Sequence, residues 1–498
     1  MIGKTVCRAL AAMLVCCGSF ASAQLNLPGT PAPQAPATET PLNIPSSGFP
    51  GTGQNAFGQN IFGQSAFEGS VPTGNVVPRV IPISLRDAID RGLKYNLGLL
   101  LANESERNAR GARYRALSDL LPNITTHVAD TQQQVNLAAF GLPPIPGIPR
   151  IVGPFNVFDA RAFATQPILN FKSLYNTRAS SQNVQAAKYT AEDARDLVVL
   201  AVGAAYLLAI ADEARINTAQ AQLKTAQALY QQASDMLKAG VVASIDEIRS
   251  QVEMQVQQQR LLVAQNDYDK QMLSLARTIG LPTGQQFTLS DKMPFAPAPP
   301  ITLDAALTRA YNSRADYRSA QALEHAAELA RKAAVSERLP SLALNGDYGA
   351  LGNQPGNAHG TFTATAALNF PIFQGGKVRG DILQADAALA QRRAQTADLR
   401  GRIEYEVRTA LLDLNAASEQ VRVAQSSVQL AEQQVTQSRD RFAAGVADTV
   451  EVIQAQEALA TTNQNFIASV FQHNLAKLSL ARALGIAEEA TKEFLGGK

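Results

Sequence analysis

The sequence predicts a mainly α chain with a transmembrane β part, built as one unit used twice. Three observations predict it: a long internal duplication, four stretches of apolar–polar alternation, and two proline-free helical stretches too long for a compact domain.

The chain opens with Lys4 and Arg8, an apolar stretch from Ala9 to Phe20, and then Ala21-Ser22-Ala23. That is the layout of a cleavable secretory signal, so residues 1–23 are expected to be removed and the mature chain to begin at Gln24. Cys7, Cys16 and Cys17 all lie inside this leader, and neither Cys16 nor Cys17 follows the small residue that a lipidated cleavage site wants. The mature chain is therefore expected to carry no thiol, disulfide or lipid anchor. Loss of Lys4 and Arg8 takes the net charge from +2 to zero, so no basic field invites nucleic acid. Only 17% of residues are charged, against roughly 25% in ordinary globular chains. Ala and Gln fill the difference, which suits long, closely packed helices. The longest apolar run after the leader, Leu197 to Ala211, lies between Asp196 and Asp212 and is shorter than the roughly 20 residues of a spanning helix. It reads as a buried helix segment, and entry into a bilayer would have to use strands.

Residues 24–80 are rich in Pro, Gly, Asn and Gln and hold three pentads, from Gly53 to Phe57, Gly58 to Phe62 and Gly63 to Phe67; they read as a disordered tether. Gly51-Thr52-Gly53-Gln54-Asn55-Ala56 has the look of a dinucleotide fingerprint but lacks the preceding strand and following helix.

Ile83-Ser84-Leu85-Arg86-Asp87-Ala88-Ile89 returns as Ile301-Thr302-Leu303-Asp304-Ala305-Ala306-Leu307, and Leu121-Pro122 as Leu339-Pro340 at the same spacing. Gln166-Pro167-Ile168-Leu169 then returns sooner, as Phe370-Pro371-Ile372-Phe373, so the first copy holds extra residues, assigned to Phe140–Pro154. Ala239-Gly240-Val241 matches Ala444-Gly445-Val446, and Leu273-Ser274-Leu275-Ala276-Arg277 matches Leu478-Ser479-Leu480-Ala481-Arg482. Each half should run helix, strand pair, long helix, tight turn, helix: a first repeat over 81–283, a linker over 284–300, a second repeat over 301–486 and a tail over 487–498. The mate of the Leu197 run carries Arg402, Glu404, Glu406, Arg408 and Asp413, which again argues against a membrane helix there.

In Thr361–Phe370 the positions Phe362, Ala364, Ala366, Leu368 and Phe370 alternate with Thr361, Thr363, Thr365, Ala367 and Asn369. After Pro340, Leu342, Leu344, Tyr348 and Ala350 alternate with Ser341, Asn345 and Asp347. The first copy shows Ile124 and Val128, and then Phe158, Ala160, Ala162 and Ala164 opposite Asp159, Arg161 and Thr165. Four strands of about ten residues result, the length a tilted membrane strand needs. A soluble hairpin packed on helices is the alternative. Four strands cannot close a barrel, and open edges cannot sit in hydrocarbon; three copies of the chain would close twelve strands around water.

No proline interrupts Phe171–Lys238 or Gly375–Ala443, and each helix could reach about 100 Å. A heptad runs through Ile216, Leu223, Tyr230 and Leu237 with Ala219, Ala226 and Ala233, mirrored by Val421, Val428, Val435 and Phe442 with Ala424, Ala431 and Ser438. Ala239-Gly240 and Ala444-Gly445 should end these helices, and Ser244, Asp448 or Thr449 should cap the returning ones, giving coiled-coil hairpins.

From Ile83 to Ile486 the chain resembles the outer membrane efflux protein family, the TolC-like channels, through Phe370-Pro371-Ile372-Phe373-Gln374-Gly375-Gly376, the paired Leu-Pro entries and the two Gly-Val tips in duplicated order. The resemblance implies a homotrimer in outer-membrane lipid of a Gram-negative-type envelope, with a twelve-stranded barrel and an α-helical tunnel through the periplasm. It also implies a periplasmic adaptor and an inner-membrane transporter as partners. Carried over by position, Gly240, Val241, Val242 and Ser244, with Gly445, Val446, Asp448 and Thr449, resemble the tips where the adaptor docks. Asp246 and Glu451 match acidic positions that ring the entrance; first-turn acids favoured by the helix dipole are the alternative. Gln454 and Ala447 depart from members that have an acid and an arginine there, which puts a tight ionic lock in doubt.

No chemistry competes with this reading. His127, His325, His359 and His473 are scattered without ligand spacing, and there is no phosphate loop and no nucleophile elbow, so neither cofactor nor metal nor enzymatic activity is expected. Asn103-Glu104-Ser105 and Asn123-Ile124-Thr125 match glycosylation acceptors but fall in a predicted helix and a predicted strand. The expected function is passive small-molecule export; alternatives are a type I protein secretion channel, a soluble coiled-coil scaffold and a periplasmic enzyme.

Overall fold

The computed structural model describes residues 67–140, 149–282, 284–292, 295–297 and 301–489. The expected leader, the tether up to residue 66, part of the first-copy insert and the end of the tail lie outside the described residues.

The first repeat starts with β1 (Ile81–Ile83), α1 (Leu85–Tyr95) and α2 (Leu97–Ser118), continues with β2 (Asn123–Asn136) and β3 (Ile151–Leu169), and ends with α3 (Phe171–Lys238) and α4 (Ser244–Thr278). The short β4 (Phe287–Leu289) follows and pairs in parallel with β1. The second repeat holds α5 (Leu303–Ser313), α6 (Ala315–Ser336), β5 (Ser341–Gly352), β6 (His359–Asn369), α7 (Lys377–Ala443) and α8 (Thr449–Ala483).

Where one helix was expected ahead of each strand pair there are two, because a single extended residue breaks each run. Asn96 (φ −64°, ψ 131°) and Arg314 (φ −61°, ψ 121°) are each the C-cap of one helix and the N-cap of the next. Ser84 opens α1 with a reciprocal capping box to Asp87. β5 and β6, at 12 and 11 residues, keep to the expected length of about ten, whereas β2 and β3 run to 14 and 19. β3 pairs with β2 along Ile151–Thr165 but with β5 only from Phe158 to Leu169, so the β2–β3 hairpin outreaches its neighbours at the insert.

The tether reading fails from Phe67 onward, because that segment is tied to the first repeat, although most of its side chains from Val71 to Val80 are exposed. The Phe67 ring lies over Gly98 so closely that a Cβ there would meet it at 2.5 Å. Asn96 donates its side-chain amide to the Phe67 carbonyl, Val71 N–H donates to Tyr95, and Gln285 accepts from Val77 N–H and donates to the Arg79 carbonyl. The described part of the inter-repeat linker is likewise bound. Asp291 accepts from Leu85 N–H and from the fully buried Tyr206 hydroxyl.

Each repeat builds its own core from equivalent elements. One gathers Ile83, Ile89, Leu99, Val198, Val202, Tyr206, Leu275 and Ile279; the other gathers Ala306, Ala310, Ile403, Val407, Leu414, Leu480 and Leu484. Leu200 and Leu207 of α3 meet Leu478 of α8 and join the two. The Leu197–Ala211 run lies in α3, the one described helix long and apolar enough to cross a membrane, and most of that window is buried in the protein.

Candidate functional site: the four-stranded sheet and the hairpin tips

Strand order β2-β3-β5-β6 puts the two hairpins side by side, antiparallel throughout, with β2 and β6 as edges. The register gathers the alternating residues onto two faces. Ile124 lies opposite Ala164, Val128 opposite Ala160, Tyr348 between Ala162 and Phe362, and Leu344 opposite Ala366. This apolar face is open, with Phe362 78% and Tyr348 73% exposed. The other face carries Thr125, His127, Asp159, Arg161, Asn345, Asp347, Thr363 and Thr365. A charged cluster that inspection of single strands does not reveal sits here. Arg161 donates from Nε to Asp159 Oδ1 (2.7 Å), from one terminal guanidinium nitrogen to Asp159 Oδ2 (2.5 Å) and from the other to Asp347 Oδ1 (3.2 Å).

The helical hairpins turn identically. At Gly240 (φ +74°) and Gly445 (φ +71°) the chain enters the left-handed region that glycine adopts without cost. Gly240 N–H donates to Leu237 and Val241 N–H to Met236, and the same pair of bonds joins Gly445 to Phe442 and Val446 to Arg441. This is the Schellman closure of a helix end. Val241 and Val446 stand exposed, whereas Val242 is half-buried.

The returning helices start differently. Asp448 caps α8, accepting from Glu451 N–H at 3.1 Å, and Thr449 is its fully buried first residue. Ser244 does not cap: it is the first residue of α4, and the N-cap is Ala243, which has no side-chain bond to offer. Asp246 and Glu451 occupy equivalent first-turn positions, and each meets an arginine of its own chain, Asp246 with Arg249 at 3.6 Å and Glu451 with Arg441 at 3.1 Å. A small cluster of Leu229, Phe442 and Val452 packs α3, α7 and α8 together just behind the tips. Among the heptad residues, Ala219, Ala226 and Ala233 are buried while Ile216, Leu223, Tyr230 and Leu237 stay half-exposed in the single chain.

Midway lies a belt of ion pairs, of which one joins the repeats, one holds the tail and one is internal to the second repeat. Arg482 of α8 donates to Asp193 of α3 (2.5 Å), Arg195 forks onto Glu488, and Arg314 holds Asp316 (2.7 Å) and Glu406 (2.5 Å). Burial pushes the Asp196 carboxyl up to about 6, with Arg482 pulling it down and Asp193 pushing it up. Among the described residues no cluster of His, Cys, Asp or Glu could hold a metal ion. His127 lies on the polar face of the sheet, His359 begins β6, and His473 is buried with Nε2 3.3 Å from the Ala296 carbonyl.

The outer membrane efflux protein family matches residues 95–281 and 306–486, the stretches that hold the duplicated helical hairpin and the four strands. The chain belongs to that family. It is similar to the probable efflux pump outer membrane protein TtgC of Pseudomonas putida, 24% identical over 81% of this chain and 83% of that one. It is also similar to the alkaline protease secretion protein AprF of Pseudomonas aeruginosa, 20% identical over 66% of this chain and 70% of that one. Among solved structures it shares its fold with the CmeC outer membrane channel of Campylobacter jejuni (TM-score 0.72, 17% identity, 82% of this chain and 88% of that one). The fold is also that of VceC from Vibrio cholerae (TM-score 0.68, 18% identity, 80% and 96%). Within the family this chain is an outer-membrane efflux channel.

Proposed function

We propose that three copies of this chain close a twelve-stranded barrel in the outer membrane and continue it as an α-helical tunnel. Through it, small molecules delivered by an inner-membrane transporter and a periplasmic adaptor leave the cell without any catalytic step. The sheet supports this reading. It has one largely apolar face, interrupted on β2 by Thr126 and, towards the insert, by Asp130 and Gln132, one polar face and two bare edges, and each unpaired backbone group in hydrocarbon costs several kcal/mol. The four strands alternate up and down, so β6 of one copy can meet β2 of the next without a parallel pair. The half-exposed heptad residues of α3 would be covered in the same assembly.

Heat-modifiable, SDS-resistant trimers in outer-membrane fractions are expected; a water-soluble monomer would overturn the assembly and return the scaffold reading. The exposed valines and open glycines suit Gly240–Ser244 and Gly445–Thr449 for adaptor docking. Asp246 and Glu451 would then ring the entrance, softened by Arg249 and Arg441. Replacing both acids by amides is expected to weaken cation selectivity in planar bilayers, and unchanged selectivity would leave them as helix-dipole acids. Similarity to AprF favours polypeptide secretion as the second reading. A deletion strain that stays resistant to dyes and antibiotics but retains a secreted protein would favour it.

A further inference from the structure

The charged cluster on the polar face of the sheet has no part in the docking or entrance sites, which lie at the far ends of α3 and α7. Among the described strand residues, Asp159, Arg161 and Asp347 are the only Asp, Glu, Lys or Arg on that face; Asp130 belongs to the other, opposite Phe158. Two strands from different repeats build the cluster. β3 supplies Asp159 and Arg161, and β5 supplies Asp347, opposite Phe163. Gly349 lies directly opposite Arg161, where a Cβ would collide with the Ala160 carbonyl and come within 2.8 Å of the Arg161 Cγ. The two backbones approach so closely here that only glycine fits, which leaves no side chain opposite Arg161, and the Arg161 guanidinium also covers the Phe163 ring at 5.2 Å. One arginine held between two carboxylates leaves a net negative charge on the wall, in a face otherwise made of His, uncharged polar and apolar residues. Ionisable groups at membrane depth belong on a water-filled side, where a low-dielectric wall strengthens their field.

We propose that this cluster, once per copy, forms a second charge-selective site inside the membrane wall of the pore, favouring cationic over anionic solutes independently of the tip acids. The inference rests on the trimeric-barrel reading above.

The test reads local potential at the wall, so the state of the periplasmic entrance does not matter. Thr363 pairs with Asp347 across β5 and β6. The three native cysteines all lie in the expected leader, so Thr363→Cys would give the processed chain a single thiol. In intact cells, its reaction rates with a trimethylammonium and a sulfonate methanethiosulfonate are compared, each normalised to a small free thiol. The ratio cancels any change in the thiol's own acidity. Asn369→Cys, about 20 Å along β6, is the reference in salt of about 0.1 M, where the screening length is about 10 Å.

The cation-to-anion ratio at position 363 is expected to exceed that at 369. It should rise about fivefold with Arg161→Gln and fall with Asp347→Asn. Should Arg161→Gln fail to assemble, Asp347→Asn and the charge-keeping Arg161→Lys carry the test, the latter leaving the ratio unchanged. Equal ratios at 363 and 369 that ignore these substitutions, in trimers that label normally, overturn the charge site and leave the barrel standing. Trimers in which the thiol at position 363 never reacts overturn the barrel reading, and this inference with it.

Discussion

The two repeats share one backbone and hold it with different chemistry. At the first break between helices, Asn96 accepts from Gly98 N–H and donates to Phe67, a neutral hinge plugged by an aromatic ring from the N-terminal segment. At the second, Arg314 offers no capping bond and instead fixes the bend with charge, reaching Asp316 and Glu406 from a side chain that is 3% exposed. The position that is Gly98 in one copy is Asp316 in the other, so the slot that admits Phe67 is occupied by a carboxylate. A duplicated fold thus fixes where the chain must bend and leaves open how the bend is satisfied. The charged solution also ties α6 to α7, which the neutral one does not do for its own repeat.

The sharpest functional test of equivalence is at the tips. Gly240 and Gly445 have matching φ and nothing within 4 Å of where a Cβ would stand, so a bulky charge meets no steric clash and costs only the strain of a left-handed backbone, about 1–2 kcal/mol at one exposed turn. Gly445→Arg is expected to abolish efflux while SDS-resistant trimer stays at its normal level, and Gly240→Arg to do the same. Loss of trimer instead would make these glycines folding residues, and loss of efflux from one variant alone would show that the copies have specialised.

The hinges should differ next. Arg314→Met strands Asp316 and is expected to cost about 3 kcal/mol, whereas Asn96→Ala loses one cap and one hydrogen bond, about 1.5 kcal/mol. Burial alone would raise the Asp316 carboxyl, but hydrogen bonding and charge from Arg314, with Arg482, hold it below its usual range. A depressed carboxylate stabilises the fold above its unfolded-state pKa and loses that contribution as pH falls, so the Arg314→Met deficit should shrink in acid. Thermal loss of helical signal at pH 7.5 and 4 measures both; equal costs for the two hinges would cancel the distinction.

Asp196 behaves in the opposite sense. Its carboxyl, raised to about 6 chiefly by burial, is harder to ionise in the folded chain than in the unfolded one. It therefore opposes folding increasingly from about pH 4 to pH 6, by something on the order of 2 kcal/mol at the plateau. Its duplicate position is Gly401, so the second repeat carries no such penalty. Asp196→Asn is expected to raise the melting temperature at pH 7.5 and leave it unchanged at pH 4. A loss at neutral pH would mean that the ionised carboxylate is being used, through Arg482, to hold the repeats together.

Much of this was legible in the chain because it is periodic or repeated. The duplication gave the element order, alternation gave the two faces of the sheet, and the proline-free heptads gave the hairpins. The breaks at Asn96 and Arg314 were hidden because one extended residue makes them without Pro or Gly. The hydrogen-bonded segment after Phe67 has the composition of a tether, and its anchor Gln285 is some 200 residues away. The Arg161 cluster was invisible for the same reason, since Asp347 reaches it only through the β3–β5 pairing between repeats. Ser244 misled because a good capping residue is only useful in register.

That register is set by the turn. In both tips the N-cap falls three residues after the Schellman glycine, at Ala243 and at Asp448. The second copy fills that position with a carboxylate and the first leaves it bare. Asp448→Ala is expected to lose about 1 kcal/mol of local stability, and Ala243→Asp to gain a similar amount from the cap and the helix dipole. Ser244→Ala should change nothing, because its hydroxyl makes no capping bond. Amide exchange in the first turns of α4 and α8 reads these differences directly. Faster exchange with Ser244→Ala would put the cap back on serine, and slower exchange with Ala243→Asp would show that the first tip is the looser of the two by the lack of one side chain.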